Sequence, residues 1–294
     1  MIIAYATHDK IVPSVYFLNR FARIYPLLVL SVIPLIIGAL LGFGINNIAD
    51  SFINLLSIQA WIPGKALIGN GPAWSLTVEV FFYALFPFLY NFFYKNGLTN
   101  KIAIVIILIW LVSILLQNYL LNSDFYRGYP SASHDLLYYF PLLHLNQFLI
   151  GNLAGLLFLK YRNSAGKNYD FQLLIVLTLF FLLLRYPLGI DYHNGFMAII
   201  FAPIILLIAT NTGIFTILLS SKPLVFLGEI SYGIYILQYP VFKITELLYV
   251  RFGFINLEIQ FYIYSVVLLI SAAVSHLIIE RPLRDKIKSL RANK

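Results

Sequence analysis

Cysteine is absent from this 294-residue chain. Its absence excludes a disulfide framework, a thiolate nucleophile and any cysteine-ligated metal site. Charge is scarce as well. Only 11% of the residues are charged, against 61% hydrophobic and 17% aromatic, whereas soluble domains carry roughly 25% charged and 45–50% apolar residues. A water-soluble fold of this size could not hide so much apolar surface, but in a bilayer lipid faces the apolar side chains directly. Period-two alternation is missing too. The runs 102–116 (IAIVIILIWLVSILL) and 173–184 (LLIVLTLFFLLL) are continuously apolar, which argues against the strands of a membrane barrel. In hydrocarbon every backbone N–H and C=O must be bonded internally, so the remaining architecture is helical. The first residues lack the basic-then-apolar-then-small pattern of a cleavable signal peptide. The chain also has no GxSxG elbow, no P-loop, no GxGxxG and no HExxH pair.

What is present is a series of apolar stretches near the roughly 20 residues that a spanning helix needs. Eight stand out, at 24–44, 73–94, 102–121, 139–159, 171–187, 195–212, 230–250 and 257–279. The fifth and sixth are short. The expected fold is therefore an all-α polytopic membrane bundle of about eight transmembrane helices, one integral membrane domain over residues 1–294. Polar connections separate the spans, the longest being 45–71 and 122–138. The formal charge of +8 would suggest nucleic acid in a soluble protein. Here the cationic residues cluster at span ends, so no nucleic-acid partner is expected and the charge reads as membrane orientation. With the N-terminus inside, fifteen of the twenty Lys and Arg residues fall in inner segments. Four fall outside (Lys65, Arg127, Arg185 and Arg251), and Lys243 lies within a span. The positive-inside bias then places both termini in the cytoplasm.

Three constellations could carry chemistry. Arg20 and Arg23, in FLNRFARIYP, lie three apart on one helix face, just ahead of the apolar run that Pro26 helps to start. Two guanidiniums at an inner membrane surface can clamp a phosphate or pyrophosphate; equally, they can anchor the chain against anionic lipid. In GPAWSLTVEVFFYALFPF (71–88), Ser75, Glu79, Phe82 and Tyr83 recur at helical spacing. Glu79 is the acid of an otherwise apolar span. Such a carboxylate usually faces a cavity, although a Glu near a helix start is also favoured by the helix dipole. In LGEISYGIYILQYPVF (227–242), Ser231, Tyr232, Tyr235 and Gln238 make a polar face that either lines a substrate cavity or bonds to neighbouring helices. Of the five histidines, His8, His134, His144, His193 and His276, His144 lies inside a span and is the most interesting, and none has metal-ligand spacing. No metal site is expected.

The segments NRFARIYP (19–26), WSLTVEVFFYALFP (74–87), LHLNQFLIGNLAGLLF (143–158), LGEISYGIYILQYPV (227–241) and IERPLR (279–284) occur in an order that resembles the membrane-bound acyltransferase family 3. These are O-acyltransferases of bacterial polysaccharides, lipopolysaccharide, peptidoglycan and small molecules. The resemblance covers essentially the whole chain. It implies about ten spans in a bacterial cytoplasmic membrane. It also implies acyl-CoA, typically acetyl-CoA, as a co-substrate met on the cytoplasmic side, no tightly bound cofactor, and an acceptor hydroxyl on an exported or surface glycan. By the same resemblance Arg20 and Arg23 handle the acyl donor, Glu79, Ser75 and Tyr83 are catalytic, and Trp74 belongs with the cavity-lining Ser231, Tyr232, Tyr235 and Gln238. Three departures are visible. The family's first helix, bearing an arginine and eleven residues on a histidine, has no counterpart here: MIIAYATHDK resembles the tail of its second helix, and His8 does not match that histidine by position. Gln147 stands where an acid is expected. Gln238 stands where a histidine is frequent.

The leading expectation is thus an integral-membrane O-acyltransferase, with a truncated inactive member of the family as one alternative. A transporter or flippase of a glycan or lipid is another, with Glu79, Lys243 and Glu246 as its intramembrane groups, although Lys243 and Glu246 are close enough to pair with each other. A non-catalytic membrane scaffold would be marked by Arg20, Arg23 and Glu79 on unrelated faces.

Overall fold

The computed structural model describes residues 10–42, 47–161, 166–253 and 256–292, with side chains through Ile287. His8 lies outside the described residues. Regular structure among those described is helical, and extended backbone pairs only in an isolated bridge between Lys167 and Asn211. The helices are α1 (Pro13–Leu40), α2 (Ile48–Leu55), α3 (Trp74–Leu89), α4 (Asn100–Leu121), α5 (Ala132–Tyr139), α6 (Leu145–Tyr161), α7 (Asp170–Arg185), α8 (Ala198–Thr210), α9 (Ile214–Leu219), α10 (Lys222–Phe252), α11 (Leu257–Ser275) and α12 (Arg281–Ala292). Capping side chains mark several starts. Thr99 accepts from the Ile102 amide ahead of α4, Ser131 from His134 ahead of α5, and Asn256 from Glu258 and Ile259 ahead of α11. Each satisfies an amide that has no partner within its own helix.

Six continuous helical stretches among the described residues are long and apolar enough to cross a membrane: Pro13–Leu40, Gly71–Tyr94, Asn100–Leu121, Ala132–Tyr161, Lys222–Phe252 and Leu257–Ile287. The chain is a polytopic helical membrane protein. The fifth and sixth expected spans correspond to α7, of 16 residues, and α8, of 13. At 1.5 Å per residue these reach only about 24 and 20 Å, short of a ~30 Å hydrocarbon core. Pro187 and Gly189 follow the end of α7, and Gly195 precedes α8; residues of this kind do not continue a helix. A second difference concerns the arginine pair. Helix α1 begins at Pro13, eleven residues before the expected span. Arg20 and Arg23 therefore sit on its second and third turns rather than ahead of it, and Pro26 is an interior residue.

The chain packs as two compact units, one of Met1–Val12 with Phe81–Leu224, the other of Pro13–Val80 with Val225–Lys294. In the first, α6 packs against both α4 and α8, and α8 packs on α7. Phe148 of α6 stacks on Phe82 with ring centroids 4.6 Å apart. Ile11 is tied to the side chain of Asn91 through its N–H (2.8 Å) and its carbonyl (2.9 Å). In the second unit, α1 buries Leu27, Leu28, Val32 and Leu35 and packs on α2 and α12. Gly233 of α10 stands where a side chain would be crowded. A Cβ there would lie 3.3 Å from that of Ala272 and 3.4 Å from Leu27, so a small residue permits the close approach of three helices.

The connection 47–70 is not the solvated loop that its composition suggests. Ser51, Asn54, Gln59 and Asn70 are fully buried. Asn54 donates to the Ile68 carbonyl (3.0 Å), and Asn70 donates to Ser31 (3.1 Å) and to the Ile236 carbonyl (2.9 Å). The loop is folded into the second unit and locks α1 to α10 through polar contacts. Such contacts are strong where water is excluded.

Candidate functional site

Within the second unit α1, α3 and α10 enclose a cavity of ≈ 240 Å³ lined by Arg23, Ile24, Glu79, Ser231, Tyr232 and Tyr235. Each side chain is placed by a local feature. Tyr232 donates its hydroxyl to the Ile24 carbonyl (3.0 Å), which pins α10 to α1 one residue past Arg23. Tyr235 donates to the Pro72 carbonyl (2.9 Å), and Ser75 donates to the Tyr235 oxygen (2.8 Å). Pro72 lies in the one-turn 3₁₀ segment Gly71–Ala73 that leads into α3. That segment sets where α3 begins, and hence where Glu79 falls one turn past Ser75. A guanidinium, a carboxylate and two phenols thus meet at one opening. The guanidinium can hold an anionic group. The carboxylate can accept a proton. Both phenols have their protons committed to backbone carbonyls, which fixes their orientation.

The sequence expectations divide at this point. Arg23, Glu79, Ser231, Tyr232 and Tyr235 come together, and Ser75 reaches the group through Tyr235. Ser231 turns its hydroxyl back to the Gly228 carbonyl (2.8 Å). Besides Ser75, four expected members are not among the lining residues. Arg20, one turn before Arg23, holds its guanidinium over the Tyr16 ring at 5.4 Å. Tyr83 is buried, with 7% exposure, and belongs to the first unit. Trp74 opens α3 without lining the cavity. Gln238 lies a further turn along α10, and its carbonyl accepts from Tyr264 (3.2 Å). Lys243 and Glu246 pair with each other at 2.8 Å, so they satisfy one another inside the span.

A second polar cluster, in the first unit, was not visible in the sequence. The His134 ring stacks on Tyr138 with centroids 4.3 Å apart. Tyr138 donates to Asp191 Oδ2 (2.7 Å), and Asp191 Oδ1 accepts the His193 amide (2.7 Å). The Nε2 atoms of His144 and His193 both face the Tyr138 carbonyl, at 3.0 and 2.9 Å. A carbonyl only accepts, so both imidazoles carry their proton on Nε2. His144 Nδ1 is then an acceptor and takes a hydrogen bond from Gln147 Nε2 (3.1 Å). A glutamine suits this place because it brings a donor, which a carboxylate does not. Asp191 and Tyr138 are 53 residues apart, and no spacing rule links them.

The fold defines the class: a polytopic helical membrane protein with a polar cavity set among its helices. Residues 9–279 match the acyltransferase family described as "Acyltransferase domain" (acyltransferase 3), and the chain belongs to that family. Among curated proteins it is similar to O-acetyltransferase OatA of Staphylococcus aureus, with 27% identity over 228 residues, covering 72% of this chain and 36% of the relative. It is also similar to acyltransferase MdmB of Streptomyces mycarofaciens, with 30% identity over 100 residues, covering 31% of this chain and 25% of that protein. The chain thus spans about a third of the length of the first of these relatives. No solved structure matches it.

Proposed function

We propose that the protein is an integral-membrane O-acyltransferase that moves an acyl group, acetyl in the simplest case, from acyl-CoA to a hydroxyl of an exported or cell-surface glycan. Family membership and the likeness to an O-acetyltransferase support the reaction class. The observation that carries the site is the convergence of Arg23 and Glu79 with Tyr232 and Tyr235 in one cavity. In this reading Arg23, with Arg20 one turn away on α1, holds the anionic part of the CoA donor. Glu79 takes the proton of the attacking hydroxyl as its oxygen bonds to the thioester carbonyl carbon. The C–S bond then breaks, and the proton passes to the departing thiolate. The Ser75 hydroxyl, one helical turn before Glu79, and the Tyr235 hydroxyl bonded to it position the reacting groups. The charge asymmetry of the chain supports a bacterial cytoplasmic membrane setting with both termini inside.

The test is transfer from radiolabelled acetyl-CoA in membranes carrying the chain. Glu79→Gln keeps the shape and removes the base, and is expected to lower transfer by about 10²-fold or more. Arg23→Ala is expected to raise KM for the donor chiefly. Wild-type transfer by both variants would overturn this site.

A further inference from the structure

A few contacts fix how α12 meets α1 in the second unit. Ile24 accepts from Tyr232 (3.0 Å), and Ser31 and the Ile236 carbonyl share Asn70 as donor (3.1 and 2.9 Å), so α10 runs parallel to α1. A Cβ on Gly233 would lie 3.3 Å from that of Ala272, and Glu229 stands 3.9 Å from His276, so α11 runs against both. The π-helical turn His276–Glu280 carries α11 directly into α12, and turn and helix both pack on α1. The part of α1 that they meet is therefore the part before Leu27. At 1.5 Å per residue Arg284 stands about 12 Å beyond His276, level with the first turns of α1.

Two guanidiniums lean toward one another there. Arg20 holds its own over the Tyr16 ring, 5.4 Å from the centroid, and so toward the start of α1. A helical side chain leans toward its own N-terminus. Because α12 runs against α1, that lean brings Arg284 back to the same level. The Arg284 side chain is 33% exposed, yet its Nε is closed off from solvent and makes no hydrogen bond. The exposed Asp285 carboxylate lies 3.9 Å away, beyond hydrogen-bonding reach. Glu280 and Glu229 face His276 instead, at 3.1 and 3.9 Å. A buried charged donor is costly unless an acceptor oxygen reaches it. Forks from two helices suit a phosphate, which accepts from several directions.

The three arginines are also in sequence along the site. Arg23 lines the Glu79 cavity, Arg20 stands one turn before it, and Arg284 adds a fork from the neighbouring helix. A CoA thioester has the matching layout, since the pantetheine arm separates its phosphates from the reacting carbonyl carbon. Cations that hold those phosphates belong farther from Glu79 than the thioester does.

We infer that α1 and α12 form a phosphate cleft in which Arg284, with Arg20, holds a phosphate of the CoA donor. Its assignment to the donor rests on the acyltransferase reading. An anionic lipid headgroup offers the same phosphate chemistry, and the test separates the two.

That test is equilibrium binding of radiolabelled CoA to the full chain in phosphatidylcholine nanodiscs, with no acceptor present. Arg284→Gln is expected to weaken binding about tenfold. Arg284→Lys should weaken it less, because the charge stays while the fork is lost. Arg281→Gln, at an exposed position one turn away, removes the same charge and should change affinity by less than about twofold. In transfer assays Arg284→Gln should raise KM for acetyl-CoA and leave KM for S-acetylpantetheine, which has no phosphate, unchanged. A shift in both KM values would make Arg284 structural, and an equal loss in Arg281→Gln would reduce the cleft to general charge; either overturns the inference. So would phosphatidylglycerol that displaces CoA from wild type but not from an Arg284→Gln protein of unchanged CoA affinity, which would give the cleft to a lipid headgroup. Wild type that binds no CoA would overturn the donor reading together with the cleft. Wild type that binds CoA through Arg284 and transfers nothing would bear out the cleft and count against the transfer alone.

Discussion

The hydroxyl pair Ser75–Tyr235 is the smallest part of the site with a checkable energy. Tyr235 spends its proton on the Pro72 carbonyl and offers its oxygen to Ser75. Removing either hydroxyl breaks the 2.8 Å bond, and removing both adds little further loss at that contact. Ser75→Ala and Tyr235→Phe are therefore expected to be non-additive in thermal unfolding of the reconstituted protein, with a coupling of about 0.5–1.5 kcal/mol. Additive losses would show that the two hydroxyls do not meet. The pair was half legible in the sequence. Helical periodicity put Ser75 and Glu79 on one face and gave α10 a polar stripe, and the structure joins the two faces. Periodicity could not separate lining residues from neighbours on the same stripe. Gln238 shares α10 with Tyr235, yet lies a turn too far along to line the cavity. Arg20 shares α1 with Arg23, yet stands against Tyr16.

At the scale of the element, apolar length located the long helices but did not show how the short ones are held. Helix α7 starts at Asp170, just ahead of the apolar run, and its carboxylate clasps the start of α9. Asn211 Nδ2 donates to Oδ1 (2.9 Å), and the Ile214 amide donates to Oδ2 (2.7 Å). Desolvation raises the pKa of Asp170. The hydrogen bonds from Asn211, Ile214 and Phe215 outweigh it and hold the carboxyl below its ordinary value of 3.8. A depressed carboxylate pKa contributes stability that is present above the unfolded value and lost as pH falls through the folded one. Wild-type protein is thus expected to lose stability below about pH 4, and Asp170→Asn to flatten that part of the curve while lowering stability at neutral pH. Parallel pH curves for the two proteins, from thermal scans in nanodiscs, would remove the clasp. Nothing in the sequence announces this contact, because it joins residues more than 40 positions apart. The same holds for the connection 47–70, whose polar composition reads as solvated loop. Its side chains turn inward because α1 and α10 offer Ser31 and the Ile236 carbonyl as partners.

For the whole molecule, the distribution of Lys and Arg makes the strongest testable statement, and the absence of cysteine makes it easy to measure. Helix α4 carries the apolar run 102–116, and its two ends carry opposite expectations. The end bearing Lys95 and Lys101 is expected on the cytoplasmic side, and the 122–138 connection on the outer side. Asn96 and Asp124 are both exposed, so a cysteine at either is open to reagent. In intact cells a membrane-impermeant maleimide is expected to label Asp124→Cys and to reach Asn96→Cys only after permeabilisation. The reverse pattern would invert the molecule. Labelling of both positions from outside would mean that α4 does not span, contrary to its length of 22 residues and its apolar run 102–116. The proposed use of a cytoplasmic acyl donor rests on the same orientation, since it needs the segments rich in Lys and Arg on the donor's side.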